Sequence, residues 1–305
     1  MPPRRASRQS KSFTTKRRAR TLLGVFGGIA LVAGFLYIVS ALSRVGPLTI
    51  ETVRISGIDA ESEQLALRAS ALGALEGSYL GIFSRANTLI YPKRTIVAKI
   101  KDQLASVERV SIDRDGAHTL NISIVEKEPA ALVCVTLPDF NGTDLSLEDP
   151  GSCYFADGGG YIFKKAPSFT GNIYHRYYVP DLVSEASSTE SVVGKSATSS
   201  DEFKALEKLY STASANGIVS DAILIKANRE YELYARNPPP VGAASSAAST
   251  VVIYFNTLTS LEEQTANLVS FWKHMVDQAR AKRETLQFDS IDVRYGANVF
   301  YREGK

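Results

Sequence analysis

Two cysteines, Cys134 and Cys153, form the pair in this sequence with the clearest chemical potential. Both fall in predicted strands flanking a polar stretch, 139–151, where antiparallel pairing can bring them into bonding distance. An extracytoplasmic setting permits a structural disulfide, whereas a redox-active pair is more often a C-x-x-C; two buried free thiols are the alternative. The three histidines share no helical or hairpin spacing with one another or with a cysteine. His118 sits in a turn, His175 in an aromatic loop, and His274 on a helix beside Trp272. That is a poor supply of ligands for a zinc framework. Gly158-Gly159-Gly160 lacks the strand-to-helix setting of a phosphate or dinucleotide loop and reads as a hairpin turn. Glu126, Glu128, Asp289 and Asp292 lie at predicted strand edges and read as solvated acids, and Trp272 and Met275 read as core. This inventory assembles no catalytic centre, so neither cofactor, metal nor small-molecule substrate is expected.

The charge distribution narrows the partners. Residues 1–20 carry eight cations and no acid, while residues 45–305 carry 26 cations against 32 acids, about −6, within a chain of net charge +3. A basic arm on an acidic body argues against a nucleic-acid-binding body. The arm is topogenic and lipid-attracting charge, worth about 1 kcal/mol per cation near an anionic leaflet. From Thr21 to Ser43 no side chain ionises, and Leu22–Leu42 is a nearly unbroken apolar run. As a helix it spans roughly 31 Å at 1.5 Å per residue, matching a bilayer's hydrocarbon core. A cleaved signal peptide is the rival, but its apolar region is usually only about 7–15 residues. With Arg44 alone just beyond the run, the positive-inside rule puts the N-terminus in the cytoplasm and the body outside a single-pass anchor in the cytoplasmic membrane.

Beyond Pro47, residues 49–55 alternate as a strand ending at Gly57. A helix follows over 61–75 with Leu65, Ala69, Leu72 and Leu75 as its apolar face, then a second helix from Pro92 carrying Ile96, Ile100 and Leu104. Strands around 110–113 and 120–124 are joined through Asp115-Gly116, a dipeptide suited to turns with two positive φ angles. The order β-α-α-β-β over 48–128 is an α+β unit with two helices on one sheet face. Residues 129–305 read as β-rich with two helices, 201–215 (capping box Ser199/Glu202) and one opening at Ser260/Glu263, ending in strands 288–295 and 298–302. Two low-complexity stretches, 184–200 and 237–250, are expected to be exposed loops.

This layout resembles the bacterial division proteins of the FtsQ/DivIB family. The resemblance is carried by Ile50-Glu51-Thr52-Val53-Arg54-Ile55-Ser56-Gly57, by Val110-Ser111-Ile112, and by Leu120 through Ala130. It continues through Asp157–Phe163, Val179-Pro180-Asp181-Leu182 and Ile291-Asp292-Val293-Arg294-Tyr295-Gly296. The chain departs from the family at Asp115-Gly116-Ala117, at the cysteine pair and in the 237–250 insertion. The resemblance implies a transmembrane helix (21–43), a polypeptide-transport-associated (POTRA) domain and a terminal β domain. It implies a non-enzymatic scaffold at the division septum that recruits FtsB/FtsL-like partners. By the family pattern Arg294 and Tyr295, followed by Tyr301, lie on a C-terminal sheet edge that accepts an added strand, and Arg229 meets an acidic partner residue. Each has a plainer alternative, a solvated charge or a packed aromatic, and Arg294 could brace the hairpin through Asp292. The rival classes are another membrane-anchored POTRA protein of envelope assembly or secretion, and an anchored hydrolase.

Overall fold

The computed structural model describes residues 12–43, 46–137, 153–168, 173–184, 192–239 and 249–304. The protein is mixed α+β. Helix α1 (Ser12–Ser43) contains the 18-residue window Gly24–Ala41, with mean hydropathy 2.0 and no residue buried by protein, and is long and apolar enough to cross a membrane. The chain, α1 included in the first, falls into two compact units that exchange chain near Leu104–Ser106 and separate after Glu126.

In the first unit, β1 (Thr52–Ser56), α2 (Glu61–Leu75), the small hairpin β2 (Ser78–Tyr79) and β3 (Phe83–Ser84), α3 (Lys93–Gln103), β4 (Val107–Asp115) and β5 (Thr119–Glu126) follow in order. The sheet order is β1-β5-β4, with β1 parallel and β4 antiparallel to the central β5. Strict alternation along β5 buries Leu120, Ile122 and Ile124 beneath α2 and α3, leaving Asn121 and Ser123 on the other face. Two expectations need correction. The buried stripe of α2 is Leu67, Ala71, Ala74 and Leu75, while Leu65 and Ala69 are exposed. Several small and apolar residues on both sides of this helix permit more than one stripe, and packing against α3 selects among them. At the β4–β5 turn Asp115 still pairs with Thr119, and only Gly116 has positive φ.

The second unit is built on one large sheet, ordered β14-β13-β12-β11-β10-β9-β6-β7-β8 among the described residues. Its strands are β6 (Ala131–Cys134), β7 (Cys153–Ala156), β8 (Ile162–Lys165), β9 (His175–Tyr178), β10 (Ser220–Ile225), β11 (Glu230–Arg236), β12 (Thr250–Asn256), β13 (Phe288–Tyr295) and β14 (Asn298–Glu303). The short α4 (Asp181–Ser184) follows β9, and α5 (Ser200–Ala215) and α6 (Leu261–Lys282) are the long helices. One face of the sheet packs Tyr177, Tyr231, Phe255, Phe288 and Ile291 against Phe203, Leu206, Leu268 and Trp272 of the helices. The other face buries a smaller cluster around Leu132, Tyr178, Leu224 and Tyr234. Within that cluster Cys134 and Cys153 face each other across β6 and β7 and are disulfide-bonded. The 139–151 stretch between them lies outside the described residues.

The sequence reading missed β9. The sequence places His175 in a loop, whereas in the structure it opens a strand running parallel to both β6 and β10, with Tyr177 and Tyr178 buried. A strand covered on both faces needs no polar alternation, so His-Arg-Tyr-Tyr carries no period-2 signal. The His175 ring stacks on Tyr210 at 3.8 Å, and its Nδ1 lies 3.0 Å from Glu207 Oε2. The described parts of the two low-complexity stretches also depart from exposed loops. Val192 and Ala197 enter the core, and Asn237 is buried, donating to the Phe288 carbonyl and accepting from the Phe288 amide, both at 2.8 Å. Composition hid these because each is one anchoring residue in a polar run. At α5 the Ser199 hydroxyl caps the Glu202 amide, but Ser260 makes no side-chain cap to α6. There the buried Gln264 amide bonds Asn256 and Thr259 instead.

Two predictions follow from local chemistry. Gly57 has φ +91°, and a Cβ built there would lie 1.9 Å from the Ile124 carbonyl oxygen. Left-handed backbone alone costs a side chain about 1–2 kcal/mol. Gly57→Ala should therefore destabilise the first unit by more than about 2 kcal/mol in chemical denaturation followed by circular dichroism. The second concerns Asp157. Burial would raise its pKa, but Lys127 Nζ at 2.5 Å and the Gly159 and Tyr161 amides outweigh burial and hold it below the ordinary 3.8. Its contribution is present above the unfolded-state pKa and is lost as pH falls through the folded one. Below about pH 4 the wild type should lose stability more steeply than Asp157→Asn, read as unfolding midpoints across an acid series.

Candidate functional site

The candidate site lies where the large sheet ends. Its far edge, β8, is closed by the chain's own backbone. The Ile162 amide donates to the Lys195 carbonyl at 2.9 Å, the Gly194 amide donates to the Ile162 carbonyl at 2.8 Å, and Tyr161 bridges to Ser196. The near edge, β14, pairs with β13 on one side and with no described strand on the other. Its hairpin turns at Gly296, φ +63°, and Asn267 of α6 donates to the Gly296 carbonyl at 2.8 Å, anchoring the turn to the helix.

Pleating sends the aromatic residues of this hairpin to opposite faces. Phe300 pairs opposite Asp292 on the sheet face remote from the helices, and Tyr301 pairs opposite the buried Ile291 on the helix face. Tyr295 and Phe300 are each 58% exposed and meet edge to face with ring centres 5.5 Å apart. Tyr301 packs on Phe271 and Phe288 at 5.2 and 5.6 Å. It also walls a groove of about 580 Å³ between β14 and the C-terminal half of α6, together with Met275, Ala279, Leu286 and Glu303. The three aromatic residues therefore do not form one surface. Tyr295 and Phe300 make one apolar step, and Tyr301 belongs to the groove behind the strand.

Arg294 is committed to the fold. Its Nε and one terminal nitrogen donate to the two Asp292 oxygens at 2.9 and 2.6 Å, and the other terminal nitrogen donates to Glu230 Oε1 at 3.0 Å. The guanidinium lies over the rings of Tyr254 and Tyr295, and its side chain is 22% exposed. Hydrogen bonding to Asp292 is the main reason its pKa is raised still further above the ordinary arginine value. The clamp spans β13 and β11 across β12. Arg229 is placed differently. It sits in the β10–β11 turn with φ +60°, its side chain is 74% exposed, and its Nε is 3.8 Å from Glu202 Oε1. Glu230 pairs with Asn256 at the end of β12, so Arg229, Arg294 and Tyr295 collect at one end of the sheet.

Among the described residues no three His, Cys, Asp or Glu side chains gather as a metal site. What the arrangement offers, among the described residues, is a row of β14 backbone N–H and C=O groups that no strand pairs, beside an exposed aromatic step and a groove of mixed polar and apolar lining. Sequence reasoning named Tyr295 and Tyr301 but did not separate their faces. It also missed the groove, whose α6 wall is visible only after folding.

Removing the clamp should affect stability. Arg294→Ala leaves Asp292 and Glu230 facing each other without a cation, which should cost about 1–2 kcal/mol after discounting for partial exposure. Arg294→Lys should recover only part, because an ammonium cannot reproduce the forked pairing. Denaturant midpoints of both variants measure this.

Compared with known proteins, the chain matches no family model and no curated protein.

Proposed function

We propose that this protein is a non-enzymatic, single-pass membrane scaffold of the FtsQ/DivIB type, acting at the division septum. Residues 21–43 of α1 are its anchor, residues 48–128 its POTRA domain, and residues 129–305 its partner-binding domain. The partner is an FtsB/FtsL-like segment that adds a strand to β14. The observation that carries the reading is the asymmetry of the sheet edges: β8 is covered by the segment 192–197, and β14 is uncovered among the described residues. A free edge invites aggregation unless it is short, charged or reserved for a partner. β14 is only six residues long and carries Arg302 and Glu303, which limits indiscriminate pairing. It also presents the aromatic step formed by Tyr295 and Phe300. The element order of the first unit, β-α-α-β-β with an inserted small hairpin, supports the POTRA assignment.

In this reading the aromatic step supplies side-chain affinity and the edge supplies register. Aromatic residues in well-packed interfaces commonly cost 2 kcal/mol or more on truncation. Tyr295→Ala should therefore weaken an FtsB-like extracytoplasmic segment by about tenfold or more while leaving the fold intact. Arg229→Ala should weaken it less. Deleting residues 298–305 should weaken it most, because backbone pairing is lost as well. Calorimetry on the folded variants measures the affinities, with circular dichroism as the control. Unchanged affinity in a folded Tyr295→Ala variant would move the interface away from this edge. Capture of an envelope-assembly or secretion component instead would favour the other anchored POTRA class.

A further inference from the structure

The small hairpin of the first unit carries an unusual tip. Leu80 and Gly81 occupy the centre of a turn closed by the Ile82 amide on the Tyr79 carbonyl at 3.0 Å, with φ of +52° and +74°. Such turns favour glycine, asparagine or aspartate, because positive φ brings a Cβ against the carbonyl oxygen. Leucine has no conformational reason to be there. Packing supplies none either, since Leu80 is 92% exposed. A second exposed apolar pair, Leu89 and Ile90, follows β3.

Both features hang from the end of the apolar helix. The Ser40 hydroxyl of α1 donates to the Ile82 carbonyl at 2.7 Å, and Ser40 is one residue from the end of the Gly24–Ala41 apolar window. The Thr88 amide donates to the Leu48 carbonyl at 2.9 Å, and Thr49 bridges to Asn87, so the stalk after α1 is stitched to the residues carrying Leu89 and Ile90. On the hairpin, the Arg85 guanidinium lies 5.4 Å over the Tyr79 ring. An aromatic ring with a cation beside exposed aliphatic side chains is the composition that settles at the headgroup level of a bilayer.

From this placement we infer that the Leu80 hairpin and the Leu89–Ile90 turn dip into the outer interface of the membrane that α1 crosses, fixing the first unit against the lipid surface. The lipid bilayer is the occupant because the exposed side chains continue, at its last turn, an apolar helix none of whose Gly24–Ala41 residues is buried by protein. An inserted leucine is then accounted for: its side chain leaves water only when the bilayer is present.

The inference rests on α1 being a membrane span, and the test separates the two claims. The full chain is reconstituted in phosphatidylcholine–phosphatidylglycerol nanodiscs with a single environment-sensitive fluorophore at Leu80→Cys. Matching samples carry it at Gly34→Cys inside the helix and at Leu258→Cys, which is 89% exposed in the second unit. Spin-labelled lipid quenches from the membrane and iodide quenches from water. Expected is a blue-shifted Leu80 label, quenched by spin label near the headgroup end of the acyl chain and shielded from iodide, with the Leu258 label behaving oppositely. If the Gly34 label is quenched by lipid while the Leu80 label behaves like Leu258, the hairpin inference is overturned and the anchor stands. If the Gly34 label is not quenched by lipid, the anchor reading falls and the inference falls with it.

Discussion

A β-sheet satisfies its interior strands through their neighbours, but its two outer strands each keep a row of unpaired backbone groups. Much of the second unit is arranged around that constraint. On the β8 side, chain that composition marks as loose folds back so that Gly194, Lys195 and Ala197 bond the Gly160–Ile162 backbone, and Val192 plugs the core beneath. Gly160, at φ +78°, lets α5 pack close, because a Cβ there would lie 2.7 Å from the Phe203 ring at the start of that helix. On the β14 side no equivalent segment is described, and the hairpin is instead stiffened from within.

That stiffening comes from charge and aromatic packing together. Arg294 ties Asp292 on its own strand to Glu230 two strands away, beneath the exposed ring of Tyr295. Behind the strand, Tyr301, Phe271 and Phe288 fix β14 to α6. A strand that must accept a partner gains from being held flat and in register before the partner arrives, since ordering it on binding would cost affinity. In the proposed reading the residues at this end of the sheet divide between positioning (Arg294, Asp292, Glu230) and presentation (Tyr295, Phe300).

The sequence revealed periodic features well and solitary ones poorly. Leu120, Ile122 and Ile124 alternate so regularly that β5 and its buried face are legible without coordinates, and Phe203, Leu206, Tyr210 and Ala213 mark the buried face of α5. The α2 boundaries are legible as well, but not its face, because Leu65 and Leu67 compete and only tertiary packing chooses. β9 is illegible because a strand buried on both sides carries no alternation. Of the candidate site, Tyr295 and Arg294 can be found from the terminal hairpin, but the division of Phe300 and Tyr301 between faces depends on register shifts within the β13–β14 pairing. The Leu80 tip gives almost no sequence signal, since an exposed leucine means little until its φ angle is known.

The central claim is that a partner strand completes the sheet at β14. Amide hydrogen exchange on the full chain, with and without an FtsB-like extracytoplasmic segment, reports this residue by residue. The account predicts new protection within Asn298–Glu303, at amides that exchange freely when the protein is alone, with little change in the covered β8 edge. Protection confined to Thr52–Glu126, with β14 exchanging as before, would contradict it.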